Sequence, residues 1–243
     1  MLDHRRRHRA AVDGEMSKVR QLPGGGKAVE LAPDRLSGWF ERFGQRHGGI
    51  QRTELAERRV EVLAADGAVA AVTVPFEPLP PPHGVRPGLV VQPLVEHLGK
   101  PRSIGLVLVR RGAHSVGIAR NGEVEKSTTE RHLVQGRSKA GGWSQQRFAR
   151  RRQGQSRRAF ESAADAVARV LLPARLDAVV VGGDRKALAS LRDDPRIREL
   201  LDRAEPRVLD VPEPRRAVLD EAARRAIAVE VEVHEPAGRV DAP

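Results

Sequence analysis

Cysteine is absent from the 243 residues, which excludes disulfides and thiolate-metal sites and fits a reducing compartment, the cytoplasm. Aromatic residues make up 3% of the chain, so its core must be built from Val, Leu, Ile and Ala. No apolar run approaches the ~20 residues that span a bilayer, and no membrane segment is expected. The basic stretch at 1–9 has no apolar run behind it and does not read as a secretory signal. The eight histidines show no ligand spacing; His97, His114 and His132 read as ordinary strand and loop residues, and no metal or other cofactor is expected. No internal repeat is visible.

Positive charge, by contrast, is abundant. The formal net charge is +11 and the isoelectric point is about 11.1. Such a balance speaks of partners rather than fold, and nucleic acid is the leading candidate, because Lys and Arg neutralise phosphates. A GC-rich coding bias toward Arg would raise the total charge, but it does not explain where the charge gathers. Residues 131–160 hold no Asp or Glu, yet contain Arg131, Arg137, Lys139, Arg147, Arg150, Arg151, Arg152, Arg157 and Arg158.

The pattern divides the chain. Residues 1–27 read as a disordered basic N-terminus whose Gly24-Gly25-Gly26-Lys27 lacks phosphate-loop spacing and reads as linker. Residues 28–98 read as a small α/β region. It has a helix over 33–46 carrying Leu36, Trp39, Phe40 and Phe43, a hairpin across Asp66-Gly67, and an irregular proline-rich stretch at 75–87. This region is expected to pack on the rest or to contact a partner. Residues 99–234 read as the main domain and 235–243 as a flexible tail. In the main domain, an apolar strand at 104–109, a partner strand at 114–120 and a third at 123–133, after an Asn121-Gly122 turn, form a meander. A long helix at 145–172 ends before Pro173. Strands at 178–181, 208–211 and 228–233 then alternate with helices at 185–192, 197–204 and 214–227. A meander followed by alternation predicts an α+β fold, a mixed sheet with helices packed on it.

The chemistry concentrates at one place. On the long helix Arg147, Arg150, Arg151 and Arg158 recur at three- and four-residue spacing and share a face. Like charges so placed repel, a cost that a bound polyanion removes and a merely solvated face does not. Just before it, Gly141 and Gly142 let the backbone bend and approach a ligand closely. Ser144 is suited to cap the helix. Gln145 and Gln146 follow at the helix N-terminus, where free N–H groups favour negative charge.

The run from Gly141 to Arg150, Gly-Gly-Trp-Ser-Gln-Gln-Arg-Phe-Ala-Arg, resembles the catalytic loop and helix of eukaryotic and archaeal class-1 peptide chain release factors, which carry Gly-Gly-Gln and an Arg-Phe-Ala-Arg helix start. Residues 105–109 and 178–184 resemble strands of the same domain, and the likeness spans roughly 101–230. Trp143 stands where those factors have glutamine. The loop is closer to the Gly-Gly-Ser-Gln of ribosome quality-control peptidyl-tRNA hydrolases, and closest to their actinobacterial branch. No codon-reading region is apparent in the rest of the chain.

The resemblance implies a ribonuclease-H-like mixed fold and hydrolysis of peptidyl-tRNA on stalled large ribosomal subunits without metal. It assigns Gln145, with Gln146 as rival, to placing water on the ester, within a loop shaped by Gly141 and Gly142. Lys139, Arg147, Arg150, Arg151 and Arg158 would hold rRNA phosphate, and Trp143 would stack on a base or pack the loop. Two other readings stand beside it. One is a ribosome- or RNA-binding module without catalysis. The other is a metal-dependent nuclease, for which only Asp177 and Asp184 flank a suitable strand, and acids there are commonly turn or cap residues.

Overall fold

The computed structural model describes residues 19–76, 78–110, 112–131 and 143–236, with the backbone alone for 143–153. Within them the chain forms two compact units, one from the residues up to His97 and from Ala228 onward, the other from Leu98–Ile227.

The first unit is an antiparallel sheet of β1 (Val19–Gln21), β2 (Lys27–Leu31), β3 (Ile50–Ala56), β4 (Arg59–Ala64), β5 (Val69–Thr73), β6 (Gly84–Pro87) and β12 (Val229–His234), in the order β1-β2-β12-β5-β4-β3-β6. Helix α1 (Leu36–Arg46) buries Leu36, Phe40 and Phe43, and Trp39 stacks on Phe43 at 5.6 Å, so these aromatics are core. Short helix α2 (Gln92–Leu98) follows β6.

Three expectations are corrected here. The glycine stretch is not linker but the turn between β1 and β2, which it can make because all three glycines take positive φ, from 90 to 97°. The proline-rich segment supplies β6, which survives because it is an edge strand, where a proline's missing N–H costs no ladder bond. The last strand, expected in the main domain, lies instead between β2 and β5: Val231 faces Val29 on one side and Val72 on the other. Its alternation buries Val229, Val231 and Val233 on one face, which suits an antiparallel sheet.

The second unit is a mixed sheet of β7 (Ser103–Arg110), β8 (Ala113–Arg120), β9 (Glu123–Arg131), β10 (Ala178–Gly183) and β11 (Val208–Leu209), in the order β11-β10-β7-β8-β9. β11, β10 and β7 run parallel, and β8 and β9 complete an antiparallel meander through the Asn121-Gly122 turn. β7 is buried along nearly its whole length, as a central strand covered on both faces should be. The helices are α3 (Trp143–Leu171), α4 (Arg185–Arg192), α5 (Arg198–Asp202) and α6 (Arg216–Ile227). The core joins Val107, Val109, Val116, Val179 and Val181 of the sheet to Ala163, Ala166, Val167, Val170 and Leu171 of α3 and to Leu188 and Leu191 of α4. Small residues on α3 let it lie close on the strands. On β8, Gly117 serves the same purpose toward α6, since a Cβ there would stand 3.0 Å from Leu219.

Candidate nucleic-acid interface

Helix α3 has 29 residues, about 43 Å at 1.5 Å per residue, far more than its unit's core uses. Burial among its described side chains runs from Ala159 to Leu171. Its lower half is pinned by polar contacts as well. Ser162 Oγ donates to Glu130 Oε2 at 2.7 Å, and Arg169 lies 3.6 Å from Glu130 and 3.5 Å from Thr128. Arg196 reaches Asp165 on α3 and Asp194 after α4, both at 2.7 Å. The Arg196 guanidinium, by hydrogen bonding to it, holds the Asp194 carboxyl below the usual aspartate range, and the two carboxylates raise the Arg196 pKa in return.

Above Ala159 the described side chains are half-buried at Gln155 and Ser156 and exposed at Arg157 and Arg158. A Cβ at Gly154 would meet nothing within 4 Å. Arg157 is 82% exposed and pairs with Glu161, one turn below at 2.9 Å. Arg158 is exposed and makes no ion pair or hydrogen bond through its side chain among the described residues. At the edge of the acid-free window, Arg131 is balanced by Glu213 at 2.8 Å.

The remaining candidate residues sit on the backbone as follows. Trp143, Gln145, Gln146, Arg147, Arg150 and Arg151 occupy the first turns of α3. The helix begins at Trp143, two residues earlier than its expected start, so Ser144 lies inside the first turn rather than capping it. The N–H groups of that turn have no intrahelical acceptor. Lys139, Gly141 and Gly142 lie outside the described residues, as does Arg137.

A feature without any sequence signal lies at the foot of the arginine-rich segment. A cleft of about 260 Å³ opens at the carboxyl ends of the parallel strands β7 and β10. Ser156 and Phe160 of α3 form one wall, Val109 and His114 another, and Lys186 and Ser190 of α4 a third. In open α/β sheets this end of the strands is the usual ligand side.

The acids that a nuclease would need are otherwise engaged. Asp177 accepts from the Ser103 N–H at 2.7 Å, and Asp184 caps α4, accepting from the N–H groups of Lys186 and Ala187 at 2.8 and 3.1 Å. They stand at opposite ends of β10. No three His, Asp or Glu among the described residues are grouped to hold a metal ion. Nor is any helix among those residues long and apolar enough to cross a membrane.

Comparison with known proteins agrees with the residue pattern. Residues 102–232, more than half of the chain, match the model of a family described as Actinobacteria/chloroflexi VLRF1 release factor. The match takes in the whole of α3 and the sheet beneath it, so the class is that of release-factor-like proteins. The chain belongs to the Actinobacteria/chloroflexi VLRF1 release factor family. No curated protein matches. Among solved structures, an archaeal translation termination factor, aRF1, is 15% identical with a TM-score of 0.33, over 68% of this chain and 52% of its own. The chain thus spans about half the length of that factor. Dom34 of S. cerevisiae, described as a translation termination-like factor, is 8% identical with a TM-score of 0.33, over 86% of this chain and 69% of its own. Pelota of Archaeoglobus fulgidus is 17% identical with a TM-score of 0.32, over 87% of this chain and 66% of its own.

Proposed function

We propose that the chain is a peptidyl-tRNA hydrolase that acts on the large ribosomal subunit and frees nascent peptide from tRNA when a subunit has stalled. The observation that carries this reading is the start of α3: an arginine-rich stretch without Asp or Glu down to Phe160, which begins at Trp143, directly after Gly141-Gly142, with both glutamines in its first turn. Membership of a release-factor family supports it. The ribonuclease-H-like assignment of the second unit belongs to the same reading, with β7–β9 as its meander and β10 and β11 as its parallel extension.

Reach suits the task. Trp143 lies about 24 Å along the axis from Ala159, where burial begins, so the tip can enter an RNA-walled cavity while the unit stays outside. Arg147, Arg150, Arg151, Arg158 and Lys139 hold rRNA phosphates along the way, and Trp143 stacks on a base. Gln145, or Gln146 in its place, orients a water on the ester carbonyl carbon, and a backbone N–H of the loop steadies the oxyanion. A C–O bond forms from the water, the bond to the ribose oxygen breaks, one water proton passes to that oxygen and the other is released to solvent. The products are a peptide carboxylate and free tRNA. No step in this scheme requires a metal.

The test is release of labelled peptide from peptidyl-tRNA on isolated large subunits, with and without a chelator. The native chain is expected to release peptide, and either Gln145→Ala or Gln146→Ala to lower the rate by about 100-fold with subunit binding kept. Binding by the native chain without release would overturn the enzymatic reading and leave a ribosome-binding module. Release abolished by the chelator from subunits shown to remain intact would overturn the metal-free one.

A further inference from the structure

The cleft at the foot of α3 has the chemistry of a nucleotide site. Of the chain's seven Phe and Trp residues, Phe40 and Phe43 are sealed in the core of the other unit, whereas Phe160 is half-buried and lines this opening. Val109 and Ala159 continue its apolar wall. Polar residues line it too: His114, itself 1% exposed, half-buried Ser156 and, at the rim, exposed Ser190. At the rim stands Lys186, exposed and without a side-chain partner among the described residues, with Arg185 beside it. Asp184 also lines the cleft, and its carboxylate already takes the N–H groups of Lys186 and Ala187, so the helix cap is closed to a further anion and the cation of the rim is Lys186.

An apolar ring face, hydrogen-bonding groups at its edge and one cation outside match a base and its phosphate. At about 260 Å³ the space suits one heterocycle rather than a peptide segment or an acyl chain. We propose that the cleft takes one unstacked ribonucleotide, with its base against Phe160 and its phosphate at Lys186, supplied by the RNA that α3 follows. This rests on the RNA-contacting reading of α3. Single-stranded RNA is commonly held in this way, by splayed bases on aromatic side chains.

The experiment uses the full chain, labelled with ¹⁵N. Amide shifts are followed on adding a single-stranded ribohexanucleotide, its abasic counterpart, uridine or adenosine 5′-monophosphate, or inorganic phosphate alone. The hexanucleotide is expected to move the amides of His114, Ser156 and Ala187. Phe160→Leu, which keeps the apolar bulk, should weaken hexanucleotide binding at least about fivefold and leave the abasic strand unaffected. Lys186→Ala should lower the salt slope of binding by about one phosphate. Shifts from the monophosphates alone uphold the nucleotide site and assign it to a free nucleotide. Hexanucleotide binding with the cleft amides unmoved, or shifts from inorganic phosphate alone, overturns the proposal while α3 still binds RNA. Absence of binding by the hexanucleotide and by both monophosphates in the native chain instead overturns both this site and the RNA reading beneath it.

Discussion

Gly183 closes β10 at a φ of +105°, and a Cβ there would run into the carbonyl oxygen of Val109 on the neighbouring strand. Both the left-handed backbone and the steric conflict oppose any side chain, so Gly183→Ala is expected to destabilise the second unit by roughly 3 kcal/mol or more. Chemical denaturation followed by circular dichroism measures it, and a loss below about 1 kcal/mol would mean that the strand pair can separate at no great cost. The Arg196 bridge makes a subtler prediction, in pH. The folded pKa of Asp194 is depressed, so its contribution is complete above the ordinary aspartate pKa and fades as pH falls through the lower folded value. Stability should therefore drop on acidification below about pH 4, and Asp194→Asn should flatten part of that slope. Arg196 is exposed and Asp194 partly so, and added salt should therefore shrink the effect.

Helix α3 is two helices in one as far as its duties go. Its lower turns are packed to contact, with Ala166 and Val167 fully buried, and extra volume has nowhere to go. Ala166→Leu should cost about 1–3 kcal/mol through overpacking. Arg158→Glu, on the exposed side, should change stability by no more than about 0.5 kcal/mol, yet weaken RNA binding and reduce its salt dependence. Thermal melts and a salt titration of RNA binding separate the two, and equal effects from both variants would contradict the division.

Legibility in the sequence follows a similar line. β7, β8, β10 and α3 stand out because an unbroken apolar period or a charge block is a local signal. β3 escaped because Gln51, Arg52 and Glu54 leave few apolar residues in it, and β6 because the prolines before it and its own Pro87 mimic a loop. The glutamines and arginines are visible for the reason α3 is. The cleft is not, because its walls come from three segments, at 109–114, 156–160 and 184–190, that only the fold brings together.

At the scale of the whole molecule, the second unit is an insertion: the chain leaves the first unit at His97 and returns at Ala228. β12 therefore supplies a strand inside the first sheet from a position about two hundred residues away, Val231 pairing with Val29. Ending the chain at residue 227 should unfold the first unit, because β2 and β5 would each lose a partner and Val229, Val231 and Val233 would vanish from its buried face. Hydrogen exchange at β2 and β5 amides, compared with those of β7 and β10, reads this directly. Protection kept in β2 would show that the β1–β2 pair stands without β12.

That same crossing has a consequence in time. Pairings so distant in sequence form late, and synthesis proceeds from the N-terminus. Residues 19–97 leave the ribosome without the strand that joins β2 to β5, and wait while the whole second unit is made. The arginine helix and its sheet can thus be complete before the first sheet is closed, so the order of folding is the reverse of the order of synthesis.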